Sequence, residues 1–325
     1  MPDKWSAFEL VEAFQLSHAV ATLHDLKLFT ALKKPATANE LAARYALDVR
    51  LLRGVLEYVA ARTDLLRRSG ERFVATANYS AESRFLLDLY VGAYGGNAAH
   101  LARLLRNSSA APSAVDRLRH ARAFEAADVL TLGILPELIR RFGLNHVLDL
   151  GCGNGALLVE LARQDLNFVG WGIDFNRAMC KAARARIRAA RLGKRLRVLE
   201  GDCRKLRSAL PDKVSAMVRA VVAGNVANEM FADGHSRAIA WLRDMRKALP
   251  GRPLLIADYY GRLGQKKRHP SRKTLLHDYA QLISGQGVPP PDAAVWRSIY
   301  SRAGCRLVHM IEDKATTRFI HILRL

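Results

Sequence analysis

Apolar positions in the first quarter of the chain recur at helical spacing. Leu16, Val20 and Leu23, at offsets of four and three, predict a helix over residues 8–30. In TANEL, Thr37 and Glu40 stand at the spacing of a capping box ahead of another apolar face. A second helix is expected from Asp48, with Leu51, Leu52, Val55, Leu56 and Val59 turned inward. DLLRRSGERFVAT then reads as two short strands around a Ser69-Gly70 turn. Residues 81–145 remain mainly helical and would bridge to a second domain.

From His146 the pattern changes to strands alternating with helices. Strands are expected at HVLDL, FVGWGID, LRVLEG, VSAMVRAVVAG and PLLIADYY. Between them lie helices at GALLVELARQ, NRAMCKAARARIRAARL, a short RKLRSAL, and GHSRAIAWLRDMRKAL. Alternation of this kind implies a parallel sheet covered on both faces. A basic loop, a helix through Leu282, a helix around AAVWRSIYSRAG and two strands, CRLVHMIE and TRFIHILRL, complete the chain. The expected division is 1–85, a helical bridge over 86–145, and an α/β domain over 146–325.

Composition narrows the class. The chain has 325 residues, half of them apolar and a quarter charged. MPDKWSAFELVEAFQ lacks the basic and apolar blocks of a secretory signal, and no apolar run approaches the roughly 18 residues of a membrane span. A cytoplasmic protein without membrane attachment is expected. Cys152, Cys180, Cys203 and Cys305 show neither CxxC nor Cys/His spacing, so neither disulfides nor a metal site is expected.

The net charge of +21 raises the question of nucleic acid, but +17 of it belongs to residues 146–325. The N-terminal order of helix, helix and hairpin resembles a winged helix. Its second helix offers only Arg50 and Arg53 before Glu57, too little to neutralise phosphates. Eight basic residues in 181–197 read as a solvated helix face, while RLGQKKRHPSRK, residues 262–273, would attract an acidic small molecule or an acidic carrier domain.

The candidate chemistry begins at VLDLGCGNG, residues 147–155. Glycines at 151, 153 and 155 allow a sharp turn between strand and helix and a close ligand approach. Glycines alone would also suit a dinucleotide. Asp149, just before the loop, suits a cationic amine better than a pyrophosphate. Asp174 ends the second strand, where a carboxylate can take both ribose hydroxyls, and Asp202 ends the third, where it can face an adenine amino group.

The set DLGCGNG, GIDFN and EGDC resembles the class I S-adenosylmethionine-dependent methyltransferases over residues 146–325. That resemblance implies a Rossmann-like seven-stranded sheet with its last strand antiparallel, behind an N-terminal winged-helix dimerisation domain. It also implies roles. The loop Gly151, Gly153, Gly155 lies against the methionine part of S-adenosylmethionine, Asp174 holds the ribose, Phe175 lies near the adenine, and Asp202 and Cys203 flank the base.

GNVANEMF, residues 224–231, follows the fourth strand and so faces the sulfonium end of that cofactor. Related enzymes with a winged helix carry His-Asp or His-Glu here, the histidine serving as general base. This chain has Asn228-Glu229, and asparagine cannot take a proton at neutral pH. Asn225 and Asn228 would orient amide, amine or carboxylate groups, and Glu229 would hold a cation. Asp258, Tyr259 and Tyr260 end the fifth strand and would rim the substrate, the tyrosines by cation–π contact. His277, one turn before Gln281, is the remaining candidate base. AYGGN, residues 93–97, is a candidate substrate-facing turn.

The expected enzyme is a dimeric transferase methylating a small metabolite of a bacterial natural-product pathway without the usual histidine. Two base-free variants fit the same residues: S-methylation of a thioether, and cyclisation of S-adenosylmethionine with release of methylthioadenosine, as in azetidine-2-carboxylate synthases. A nucleic-acid-binding regulator conflicts with the acidic set Asp149, Asp174 and Asp202. RNA methylation rests on charge alone.

Overall fold

The computed structural model describes residues 5–126, 130–265, 271–313 and 316–325. They fall into two compact units. One comprises residues up to Gly96 with the segment that starts at Arg122; the other comprises Asn97–Ala121 and the rest of the chain. The stretch expected to bridge the domains is thus divided between the two.

In the first unit, α1 (Ala7–Asp25) starts on a capping box. The Ser6 hydroxyl accepts from the Glu9 N–H, and the Glu9 carboxylate accepts from the Ser6 N–H. The helix stops short of residue 30 because Lys27 takes a left-handed conformation (φ 59°), and a one-turn helix, Leu28–Ala31, follows. β1 (Ala36–Thr37) leads into α2 (Ala38–Tyr45), which carries the expected Thr37/Glu40 capping box. α3 (Val49–Arg62) is capped by Asp48, whose carboxylate accepts from Leu51 N–H at 2.7 Å.

Leu51 does not face inward. The buried stripe of α3 is Leu52, Leu56 and Val59, and Leu51, a hundred degrees round from Leu52, is exposed. β2 (Leu66–Ser69) and β3 (Arg72–Ala75) form the expected hairpin, and β1 joins β3 to give a three-stranded antiparallel sheet. Leu23, Phe29, Leu41, Leu56 and Phe73 fill the core beneath it.

The second unit contains the first turns of α4 (Arg117–Ala126). After α5 (Leu130–Arg141) it winds through β4 (His146–Leu150), α6 (Ala156–Gln164), β5 (Val169–Asp174), α7 (Arg177–Ala189) and β6 (Leu196–Glu200). It continues with α8 (Asp212–Met217), β7 (Ala220–Gly224), α9 (His235–Ala248), β8 (Pro253–Tyr259), α10 (Arg272–Ile283) and α11 (Ala293–Ala303). β9 (Arg306–Asp313) and β10 (Arg318–Arg324) close it. The sheet order is β6-β5-β4-β7-β8-β10-β9. β4 to β8 run parallel, while β10 runs antiparallel between β8 and β9. This is the expected seven-stranded arrangement.

The apolar run VSAMVRAVVA is not one long strand. Residues 212–217 form a helix behind Pro211, and only Ala220–Gly224 pair in the sheet. A ten-residue strand would overrun neighbours of five to seven residues, so the surplus folds back as α8. Helices cover both faces. Trp171, Ile173, Leu242, Trp296 and Phe319 pack on one, and Leu135, Ile139, Val147, Leu158, Leu255 and Ile320 on the other.

Chain order runs outward from β4 to β6 on one side of the sheet and from β7 to β8 on the other. The direction of winding therefore reverses between β4 and β7. In open α/β sheets the crevice beyond the carboxyl ends at such a reversal is where ligands bind. The segments after Leu150 and Gly224 meet there.

Candidate active site

The glycine loop after β4 is shaped by what surrounds it. Gly151 (φ 61°) lies so close to Val226, in the segment after β7, that a Cβ would sit 2.6 Å from Val226 Cγ2. Gly153 (φ 52°) has open space where a side chain would project, and its N–H donates to Asp174 Oδ2 at 2.9 Å. Gly155 opens α6 from a left-handed conformation. The open space at Gly153 lets a ligand approach the loop closely, and makes it a cradle.

Two acidic side chains back this cradle. Asp149 is buried, and burial, with Asp174 nearby, pushes its carboxyl up to about 8. A carboxyl so placed is poised to ionise when a cation arrives. Asp174 is also buried. Its Oδ1 accepts from the Asn176 N–H at 2.8 Å while Oδ2 holds Gly153, so it ties the two loops together; burial raises its carboxyl despite those bonds.

Phe175 presents an exposed ring, with the guanidinium carbons of Arg117 and Arg204 each 5.7 Å from its centroid. Asp202 accepts from Arg204, by backbone at 2.9 Å and by Nε at 2.8 Å, and caps the short 3₁₀ turn Cys203–Lys205. Cys203 is buried, its thiol pushed up to about 12 by burial, and its carbonyl accepts from Trp241 Nε1.

Beyond β7, Asn225 takes a left-handed conformation (φ 52°). Its N–H donates to the Ala257 carbonyl, and its Oδ1 accepts from Arg318 at 3.0 Å. The 3₁₀ segment Ala227–Phe231 follows. Asn228 is 3% exposed. Its N–H donates to Asp258 Oδ2 at 2.9 Å, and its Nδ2 donates to Gln281 Oε1 at 2.8 Å. Among the described residues its side-chain oxygen, Oδ1, has no hydrogen-bond partner.

Glu229 accepts from Arg117 Nη1 at 3.2 Å and from Gln286 Nε2 at 2.8 Å. The cation it holds is therefore one of the chain's own. Arg117 joins the Phe175 ring to the turn after β7.

The end of β8 separates the residues expected to rim the substrate. Asp258 is wholly buried, accepts from the N–H groups of Asn228 and Tyr259, and is pushed up to about 7 by burial. The Tyr259 ring meets His277 of α10 edge-on at 4.7 Å. Tyr260 points the other way, as the period of two along a strand requires. It sits in the core with Phe319, and its hydroxyl is bonded to Glu312 and, at 3.1 Å, to His321. It does not pair with Tyr259 at the substrate rim.

His277 is pushed down to about 3 by burial and by the positive charge of Arg318. His120, on α4, is likewise lowered to about 3 by burial and by Arg117. Both imidazoles are neutral and weakly basic. Asp278 accepts from the N–H groups of Arg262 and Leu263, anchoring the start of the basic loop. Residues 266–270 of that loop lie outside the described residues. AYGGN is not an open turn. Tyr94 is buried, and Asn97 donates to the carbonyls of Ala111 and Ile283.

The structure thus brings Asp149, Gly151, Gly153, Asp174, Asn225, Asn228 and Glu229 to one switch point, with Phe175, Asp202 and Cys203 on its β5–β6 side. The sequence had not singled out Arg117, His120, Gln286 or Arg318. These residues come from segments with no strand-end or loop signature. Only fold-back of α4 and of the turn after α10 reveals them.

Residues 147–247 match a family model described as a methyltransferase domain. No curated protein is similar enough to match. Solved structures match over almost the whole chain. The mitomycin 7-O-methyltransferase MmcR is 17% identical, with 97% of this chain and 95% of that one covered and a TM-score of 0.74. PigF, solved with SAH, is 18% identical, covered over 98% of each chain, with a TM-score of 0.74. An O-methyltransferase family protein from Burkholderia thailandensis is 20% identical, with 99% and 98% covered and a TM-score of 0.70. At these identities the likeness establishes the fold. The family match adds that residues 147–247 are similar to a methyltransferase domain.

Proposed function

We propose that the chain is a class I S-adenosylmethionine-dependent methyltransferase, that it methylates a small metabolite without a histidine base, and that it works as a homodimer. The donor supplies an electrophilic methyl group on a sulfonium. Asp149 accepts the ammonium of its amino-acid end, and Asp174 uses its remaining lone pairs for the ribose. Phe175 lies against the adenine, flanked by Asp202 and Cys203. The glycine loop and Asn225 line the methionine part.

The observation that carries the base-free reading is Asn228. It stands at the exit of β7, where a base would be needed, and Asp258 and Gln281 fix it in place. The nearby imidazoles do not replace a base. A group lowered to about 3, as His277 and His120 are, cannot hold the proton of a phenol of ordinary acidity near 10. Rate must come from positioning, which supplies roughly 7–11 kcal/mol in favourable cases. Tyr259 and Glu229, the latter through Arg117 and Gln286, belong to that positioning. A small natural-product acceptor is supported by neighbours such as the mitomycin methyltransferase and CalO1 of calicheamicin biosynthesis.

The dimer is supported by α1. Its inner residues Val20, Ala21 and Leu23 are buried, yet Phe8, Leu10, Val11 and Phe14 are exposed. The exposed set fills the first turns of the helix and the buried set its end, so an apolar stretch of α1 is left to be covered from outside. A second copy of this chain is the proposed cover.

The first test is mass spectrometry of the purified protein with S-adenosylmethionine alone, followed by an acceptor screen with methyl-labelled donor. An intact donor in the first experiment and label entering an acceptor in the second are expected. Methylthioadenosine forming faster than in an enzyme-free control would replace methyl transfer with cyclisation.

A further inference from the structure

A buried amide oxygen without a partner is uncommon, because it forfeits the hydrogen bond it had with water. Asn228 Oδ1 is such an oxygen, and its setting leaves little freedom to relieve it. The backbone N–H of the same residue is tied to Asp258, and Nδ2 is tied to Gln281. With Nδ2 facing Gln281 Oε1, the oxygen faces the other way. The adjacent Glu229 is engaged by Arg117 and Gln286. Val226, two residues earlier, abuts the glycine loop and brings this segment up to the donor cradle.

We propose that Asn228 Oδ1 is the acceptor for an N–H on the incoming nucleophile, and that the enzyme is an N-methyltransferase for a neutral amine. This rests on the base-free reading above and names its substrate class. An amide oxygen accepts a hydrogen bond but does not take the proton. A hydroxyl donating to it would keep its proton, and the oxygen would attack as a poor, neutral nucleophile. A neutral amine donating one N–H still has its lone pair free for attack. A thioether has no hydrogen to give and would leave Oδ1 unpaired.

The bookkeeping of atoms is simple. The nitrogen lone pair forms the N–C bond as the S–C bond breaks, and that pair of electrons stays on sulfur. The product ammonium then loses one proton to water. No base, oxidant or further reactant is required. Asn228 holds the remaining N–H throughout, and so aligns the lone pair with the methyl group. The amine must be uncharged at working pH, which selects aromatic or otherwise weakly basic amines.

The test uses sinefungin, in which a carbon bearing an amine replaces the methylated sulfur, so an N–H donor sits where the methyl group would be. Its affinity is compared with that of S-adenosylhomocysteine by calorimetry, in the wild type and in two variants. The wild type should favour sinefungin. Asn228→Leu should reduce that preference about tenfold, the typical worth of one hydrogen bond to a charged donor. Asn228→Asp, which keeps an acceptor oxygen, should retain it. A melting transition that still rises with S-adenosylhomocysteine shows that each variant is folded.

An unchanged preference in Asn228→Leu would overturn the proposal while leaving the methyltransferase intact. Failure of both ligands to bind the wild type would instead overturn the donor site. Among paired aromatic amines and phenols offered with methyl-labelled donor, label in the amines supports the proposal. Label confined to the phenols overturns it.

Discussion

At the scale of single residues, the buried carboxyls dominate the expected pH behaviour. Asp149 is pushed up to about 8 and Asp258 to about 7, in both cases chiefly by burial. A carboxyl raised in the folded state keeps its proton while the unfolded chain gives it up near 4. Folding then favours the side with more protons, so stability from these groups is greatest below about pH 4 and falls as pH rises towards 8. The melting temperature of the ligand-free protein should therefore decline across that window. Asp149→Asn should raise it at pH 8 and flatten the slope, leaving the part due to Asp258. Proposed binding of a cationic ammonium at Asp149 adds a second readout. Calorimetry at pH 7 in buffers of different ionisation enthalpy should show a proton released on S-adenosylmethionine binding, and the Asp149→Asn variant should release less.

The Arg117–Glu229 pair offers another test at this scale. The two side chains are only 15% and 24% exposed, so losing one partner strands a largely buried charge. Glu229→Gln should cost about 1–3 kcal/mol in urea unfolding. Adding Arg117→Gln to it should recover part of that loss rather than double it.

At the scale of elements, the meeting of two strand-end turns is the feature to disturb. Gly151→Ala would place a Cβ 2.6 Å from Val226 and demand φ 61° of an alanine. We expect a loss of about 2–4 kcal/mol and of donor binding together, seen as a lower melting point that no longer responds to S-adenosylmethionine. The combination Gly151→Ala with Val226→Ala should restore folding more than binding.

Most elements were legible because their signals are local. The capping box at Thr37, the Ser69-Gly70 turn and the glycines after Leu150 announce themselves within a few residues. The errors arose where tertiary limits override local pattern. Nothing in VSAMVRAVVA says that the sheet has room for only its second half. Nothing in the α3 pattern separates Leu51 from Leu52 until the helix is docked. The site was legible in the same way. Strand-end residues could be placed by counting elements, whereas Arg117 reaches Glu229 across 112 positions of chain, beyond any local signal.

At the scale of the whole molecule, the exposed apolar side of α1 and the uneven charge set the expected behaviour in solution. Phe8→Glu with Phe14→Glu should convert the proposed dimer to a monomer in light scattering, with the first unit still folded because α1 gives its core only Val20, Ala21 and Leu23, near the helix end. An unchanged mass would remove α1 from the interface.

The place of β10 has a consequence for how the molecule comes into being. It lies between β8 and β9, yet follows both in the chain, so β8 keeps an open edge until roughly sixty further residues have been made. At about 5–20 residues per second on the ribosome, that is a wait of some seconds with one edge of a long apolar strand unpaired. The last strand is then inserted between two others rather than added at a rim, a non-local step of the kind that slows folding. Nascent chains stalled just before Arg318 should be far more readily cut by protease in β8 than chains in which residues up to Arg324 have emerged. Yield in a cell would then depend on translation speed and chaperone supply more than on final stability.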